Sequence, residues 1–138
     1  MKRVLLIIAL LVLILPSCNS SSNKVRASLG QEFVLAINQT SEISGENLLV
    51  KFTDVIGDSR CPTGVECIWA GQVSCILDIT ISGKTSQTVI TGPGDTSDYA
   101  NATYQKYSLK FRVDPYPQSG KTISKSDYRL YLTINKNS

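Results

Sequence analysis

Two segments near the C-terminus alternate apolar and polar residues with a period of two. Tyr107, Leu109, Phe111 and Val113 interleave with Ser108, Lys110, Arg112 and Asp114. Tyr128, Leu130, Leu132 and Ile134 interleave with Arg129, Tyr131, Thr133 and Asn135. Successive side chains of a strand point to opposite faces, so this pattern places one apolar face on a core and one polar face in water. That is the signature of an antiparallel sheet covered on one side. Earlier segments repeat the theme. Gln31–Ile37 is a first strand candidate. Asn47–Ile56 is a second, with Leu48, Val50 and Phe52 on one face. Val73, Cys75, Leu77, Ile79 and Ile81 alternate along a third, and the pair Gly83-Lys84 turns the chain into a return strand, Thr85–Thr91. The stretch Gly92–Tyr99 (GPGDTSDY) reads as an irregular break because of its Gly and Pro. Helical periodicity is missing outside the extreme N-terminus. These features predict an all-β domain, an antiparallel β-sandwich or partly open barrel of about six to eight strands.

The N-terminus is of a different kind. Lys2 and Arg3 precede the unbroken apolar run Val4–Leu15. A finished membrane span needs roughly 20 apolar residues, so the run fits the core of a signal peptide instead. It ends in Leu15-Pro16-Ser17-Cys18, which resembles the lipobox of bacterial lipoproteins. The resemblance implies cleavage before Cys18 and acylation of its thiol. Two or three acyl chains would then anchor the chain durably, each buried methylene contributing roughly 0.8 kcal/mol. The expected organisation is a signal peptide over residues 1–17, a lipidated flexible tether over 18–28 that opens with the small polar run Asn19–Lys24, and a single domain over 29–138. Asn19 stands where inner-membrane retention in enteric bacteria uses aspartate. The expected location is therefore the periplasmic face of the outer membrane. Loss of Lys2 and Arg3 with the signal takes the fourteen basic residues to twelve against eleven acidic ones, a net charge of +1. Such a balance gives no reason to expect a nucleic-acid partner, which would call for a basic face.

Cysteine chemistry centres on SRCPTGVECIWAG, residues 59–71, which holds Cys61, Cys67 and the single tryptophan, Trp69. An exported chain meets an oxidising space. Pro62 and Thr63-Gly64 can turn the chain between Cys61 and Cys67, which favours a small disulfide loop and leaves Cys75 free on the inward face of its strand; Cys67–Cys75 is the competing pairing. Zinc is disfavoured. The chain has no histidine, and the cysteine spacings do not match the usual C-x₂₋₄-C pattern. The spacing is also wrong for a redox C-x-x-C pair. No cofactor or metal is expected.

The segments Asp58-Ser59-Arg60-Cys61-Pro62 and Cys67-Ile68-Trp69-Ala70-Gly71, with Asp114-Pro115-Tyr116-Pro117 and Asp127-Tyr128-Arg129-Leu130 further on, resemble a family of small bacterial secreted proteins and lipoproteins with a D-S-R-C-P…C-x-W-x-G signature. The resemblance runs from about Ser28 to the C-terminus. It implies a β-sandwich-like domain and a Cys61–Cys67 bridge, and it brings no activity with it.

Arg60 and Trp69 carry two competing readings. In the structural one, Trp69 plugs the end of the core beneath the bridge, while Arg60 pairs with Asp58 or caps loop carbonyls; burial of most tryptophans favours it. In the recognition one, the pinned loop presents Arg60 or Trp69, with Tyr116, to a partner, since rigid Trp, Tyr and Arg side chains make good binding hot spots. Without histidine, Ser-His and Cys-His nucleophile systems are impossible. Asp95 and Asp98 in the GDTSD loop, or Asp58, are the candidates for carboxylate catalysis, and the first two also for calcium. Asp, Ser and Gly are equally the ordinary residues of turns. The expected function is a membrane-anchored, non-enzymatic binding or structural module of the cell envelope, with an envelope protein or glycan as partner. The alternatives are a carboxylate-dependent enzyme and a protease-inhibitor-like module.

Overall fold

The computed structural model describes residues 24–94 and 98–137. The signal segment, Cys18 and Asp95 lie outside those residues. Nine strands are described: β1 Lys24–Ala27, β2 Glu32–Ala36, β3 Thr40–Ile43, β4 Leu48–Asp58, β5 Gln72–Ile81, β6 Lys84–Pro93, β7 Ala100–Tyr104, β8 Tyr107–Asp114 and β9 Arg129–Lys136. They form a five-stranded sheet in the order β1-β3-β4-β5-β6 and a four-stranded sheet in the order β2-β9-β8-β7. All pairings are antiparallel except β1–β3, which is parallel. The expected all-β sandwich is the architecture observed. Among the described residues no helix is long and apolar enough to cross a membrane.

The inner faces meet over a core in which Phe52, Phe111, Leu35, Leu77, Leu130 and Leu132 are sealed from water. Each such side chain contributes roughly 1.5–3 kcal/mol by leaving water. The alternation read from β8 and β9 is the alternation observed: Tyr107, Leu109, Phe111 and Val113 face in, as do Tyr128, Leu130, Leu132 and Ile134. Tyr131 faces out and is half-buried under Arg112, whose guanidinium carbon lies 4.0 Å from the ring centre.

Three strands escaped the pattern. β3 puts Ser41 at an inward position with no exposure, so its alternation reads polar. β7 (ANATY) offers only Ala100 to the buried set. β1 (KVRA) is too short to display a period, yet Ala27 is buried and Val25 packs on the core. Strand structure therefore includes Lys24–Ala27, within the segment expected to be tether. Gly92 and Pro93 belong to the end of β6 and not to the break after it, because Gly92 pairs with Val73 and Pro93 with Gln72. The β5–β6 turn is centred on Ser82 and Gly83, one residue earlier than expected. Both take positive φ (49° and 81°), as a two-residue type I′ hairpin loop demands.

One irregularity matters for the site. The β4–β5 register slips between Phe52 and Asp54 and again between Val55 and Gly57. A strict period of two from Phe52 would bury Asp54 and Ile56. The bulge instead turns Val55 inward and leaves Ile56 exposed. Bulges also bend a strand, here in the last turns before the cysteine loop.

Candidate functional site

The 59–71 segment leaves β4, folds back on itself and enters β5. Its base is a short ladder: Ser59 N–H donates to the Gln72 carbonyl at 2.8 Å, and Cys61 N–H to the Ala70 carbonyl at 2.9 Å. The Ser59 hydroxyl oxygen accepts from Gln72 N–H at 3.1 Å. Gly71 sits at φ 72°, and a β-carbon there would collide with the Ser59 carbonyl oxygen. Only glycine lets the two limbs approach so closely. Cys61 and Cys67 are joined by a disulfide with their Cα atoms 5.9 Å apart, and Cys75 is free and buried. The outer limb is tied to the segment after β8: Thr63 N–H donates to the Pro117 carbonyl and Ser119 N–H to the Thr63 carbonyl, both at 3.0 Å.

Beneath the loop lies a buried polar cluster. Arg60 is 5% exposed. Its Nε and Nη2 donate to the two carboxylate oxygens of Asp58 at 2.8 and 2.7 Å. Nη1 donates to the Val113 carbonyl at 2.6 Å, and Nη2 also to the Pro115 carbonyl at 2.9 Å. Tyr128 Oη donates to Asp58 Oδ2 at 3.1 Å. The guanidinium carbon lies 5.1 Å from the centre of the Tyr116 ring, and the Tyr116 hydroxyl donates to the Gly94 carbonyl at 2.8 Å. Burial pushes the Asp58 carboxyl up, but the hydrogen bonds and charge of Arg60, helped by Tyr128, outweigh it and hold the group below its ordinary value. The Tyr128 hydroxyl is pushed up to about 12, by burial first and then by the Asp58 charge. Burial likewise pushes the Cys75 thiol up to about 12, which makes it a poor nucleophile.

This arrangement divides the sequence expectations for the loop. Arg60 does pair with Asp58, but the carbonyls it caps belong to Val113 and Pro115 across the sandwich. Its guanidinium faces inward, so Arg60 supports the loop and is not displayed by it. Tyr116 is half-buried above it. Trp69 is not the plug beneath the bridge: it is 82% exposed, and its neighbour Ile68 is 94% exposed. The space a tryptophan would fill is taken by the Arg60–Asp58–Tyr128 cluster. Val65 is exposed as well. Ile68 and Val65 were passed over, although the signal was present: two large apolar residues in sequence, Ile68-Trp69, fall in a segment with no strand alternation to bury either.

Among the described residues, the candidate carboxylates Asp58 and Asp98 are not brought together in an open cleft. Asp58 is committed to Arg60 and Tyr128. Asp98 and Arg60 line one small cavity of about 10 Å³, scarcely room for one water. A wider cleft of about 450 Å³ lies at the far end of the sandwich and holds Glu42 and Glu46. There Glu46 is engaged by Lys136 at 2.8 Å and Tyr107 at 2.9 Å, contacts that hold its carboxyl below the ordinary value. Among the described residues no group of three His, Cys, Asp or Glu side chains is placed to hold a metal ion.

No protein-family model matches this chain, and neither a curated protein nor a solved structure proves similar to it.

Proposed function

We propose that this chain is a lipid-anchored, non-enzymatic contact module of a bacterial cell envelope. Acylated Cys18 holds it on the periplasmic face of the outer membrane, and the 61–71 loop is its contact surface. It is read as a member of the D-S-R-C-P…C-x-W-x-G group of secreted proteins and lipoproteins that its cysteine loop resembles. The observation that carries the reading is the pairing of near-complete exposure at Ile68 and Trp69 with a loop restrained at its base, at Thr63 and by the Cys61–Cys67 disulfide. Large apolar side chains held rigidly in water lose little conformational freedom on binding. Arg60 and Tyr116, first considered as contact residues, then serve to position the loop. At Asp58 the carboxylate-enzyme alternative gains no support, since both carboxylate oxygens already accept hydrogen bonds from Arg60 and Tyr128.

Two measurements test it. Mass spectrometry of the mature chain from native membranes is expected to find a diacylglyceryl group on an N-terminal Cys18, and Cys18→Ala is expected to leave the outer-membrane fraction. A photo-cross-linking residue at position 68 is expected to capture an envelope component, lipid or protein, that the same residue at Ser82 on the far end does not. An unmodified Cys18, or equal capture at both positions, would overturn the reading.

A further inference from the structure

The partner of the loop can be identified from where the apolar surface lies and where the anchor joins. Six large apolar residues are notably exposed among the described residues: Val34, Ile56, Val65, Ile68, Trp69 and Val89. Three of them fall within residues 65–69. The other three are spread singly over β2, β4 and β6. The turns at the opposite end carry none: they are built from Ser44-Gly45-Glu46-Asn47, Ser82-Gly83 and Gln105-Lys106. The sandwich thus has one apolar tip and one polar end.

The direction of β1 relates that tip to the anchor. β1 runs parallel to β3, and β3 antiparallel to β4. β4 runs toward the cysteine loop, so β1 runs away from it. Lys24 is therefore the end of β1 nearer the loop, level with Lys51, which lies three residues from the Leu48 end of β4 and seven from Asp58. Lengths agree with this geometry. Lys24 is level with Thr40, and Thr40 with Lys51. From Lys51 to Asp58, where the loop begins, a strand rising about 3.3 Å per residue covers at most roughly 23 Å, and less for the two bulges on the way. From Cys18 to Lys24 the chain can span at most about 20 Å. With Cys18 acylated, six residues from Lys24 would hold the domain within about 20 Å of the bilayer, a reach comparable to the distance from Lys24 to the base of the loop.

We infer that the 65–69 tip, led by Ile68 and Trp69, inserts into the interfacial layer of the bilayer that holds the Cys18 acyl chains, giving the domain a second membrane contact and a fixed orientation. Tryptophan favours that layer because its ring is apolar and its N–H can stay hydrated. Ile68 and Val65 supply apolar area beside it. The disulfide and the Arg60 cluster restrain the backbone that carries the three side chains, so less backbone freedom is lost on insertion. This inference rests on the proposed acylation of Cys18.

Trp69 is the only tryptophan in the chain, so its fluorescence reports the tip alone. The experiment uses the full mature acylated protein reconstituted in phosphatidylcholine vesicles, with and without brominated acyl chains. On vesicles the Trp69 emission is expected to shift to the blue, lose its quenching by aqueous iodide and become quenched by the brominated chains. Ile68→Asp is expected to reverse all three changes while co-floating with vesicles and unfolding at the same temperature as wild type. Acylated protein that floats with vesicles but keeps a red, iodide-quenched Trp69 overturns the inference and leaves the anchoring reading standing. So does a Trp69 that becomes shielded only when envelope proteins are added, which would make the partner a protein. Protein that carries no acyl group by mass and does not float overturns the anchoring reading, and the inference with it.

Discussion

Arg60 and Val113 are 53 residues apart in the chain, yet the Arg60 guanidinium donates to the Val113 carbonyl at 2.6 Å across the gap between the two sheets. Asp58 and Arg60 follow from the five-stranded sheet, whereas Val113, Pro115 and Tyr128 lie at the end of the four-stranded one. The cluster therefore closes the end of the sandwich with polar groups where a core would use apolar ones. Removing Arg60 would leave Asp58 buried without its counter-ion, and breaking a buried pair from one side costs about 3–5 kcal/mol. Arg60→Ala is expected to destabilise by that amount in urea unfolding. Arg60→Lys is expected to recover little, since an ammonium cannot reach two carboxylate oxygens and two carbonyls from one plane. Stability near wild type for either variant would contradict this assignment.

Acid is expected to act on the same cluster. Asp58 is held below its ordinary value of 3.8 in the fold. Its contribution is therefore complete above the unfolded value and is lost as pH falls through the lower folded one. Glu46 and Asp54 are also held low, by Lys136 and Lys125 first, and they act in the same direction. The informative quantity is the difference between variants. Asp58→Asn is expected to be less stable than wild type at pH 7, with the gap narrowing below about pH 4. A gap that stays constant down to pH 2 would show that the Asp58 charge carries no stability.

Alkali acts with the opposite sign. The Cys75 thiol is raised from 9.0 to about 12, and the Tyr128 hydroxyl from 10.0 to about 12. Both contributions are complete below the unfolded values and fade as pH rises through the folded ones. Wild type is expected to hold its urea midpoint to about pH 9 and lose stability from there to pH 12. Cys75→Ala is expected to be somewhat less stable at neutral pH, from the small cavity, with a flatter decline in alkali. In native protein at pH 8, Cys75 is expected to react with a disulfide reagent only on unfolding. Rapid labelling of the folded protein would place the thiol at the surface.

Much of this fold could be read from period-two patterns because β4, β5, β8 and β9 are long enough to show one. The Cys61–Cys67 pair was legible from the turn-forming spacer Pro62-Thr63-Gly64 between the two cysteines. What stayed hidden has local causes. Ser41 faces the core in β3 and disguises that strand. The bulge after Phe52 reverses the parity that would have buried Ile56. β1 buries little more than Ala27 and Val25. The buried-plug reading of Trp69 fails for a different reason. Tryptophan is buried on average, but the place below the bridge is filled by an arginine whose partners, Val113 and Pro115, lie far along the chain, and no spacing rule connects them.

The disulfide is expected to hold the loop and not the core. In the chain-entropy account a short closed loop contributes roughly 2 kcal/mol, less than the buried arginine pair. The loop keeps its contacts from Thr63 to Pro117 and Ser119. The Cys61→Ala/Cys67→Ala double variant is therefore expected to unfold cooperatively, about 2 kcal/mol less stable. Limited proteolysis is expected to cut it between residues 62 and 70, where wild type resists. Global loss of the β circular-dichroism signal would mean that the bridge is needed for the fold itself.

Gly71 and Gly45 provide a matched pair for the close approach at the base of the loop. Both adopt positive φ, 72° and 79°, where a side chain is strained by about 1 kcal/mol or a little more. Around Gly45 a β-carbon would meet nothing within 4 Å. At Gly71 it would strike the Ser59 carbonyl oxygen and carbon, backbone atoms held in turn by the Ser59–Gln72 rung. Gly45→Ala should then cost about 1 kcal/mol, the strain alone. Gly71→Ala should cost several times as much, because relief requires the two limbs to part. Parting them also frees Ala70 from Cys61 and lets Trp69 move, so the same variant should broaden Trp69 emission and raise its anisotropy decay rate. Equal losses at the two glycines would mean that the limbs of the loop are already free to separate, and that nothing in the backbone keeps Trp69 turned outward.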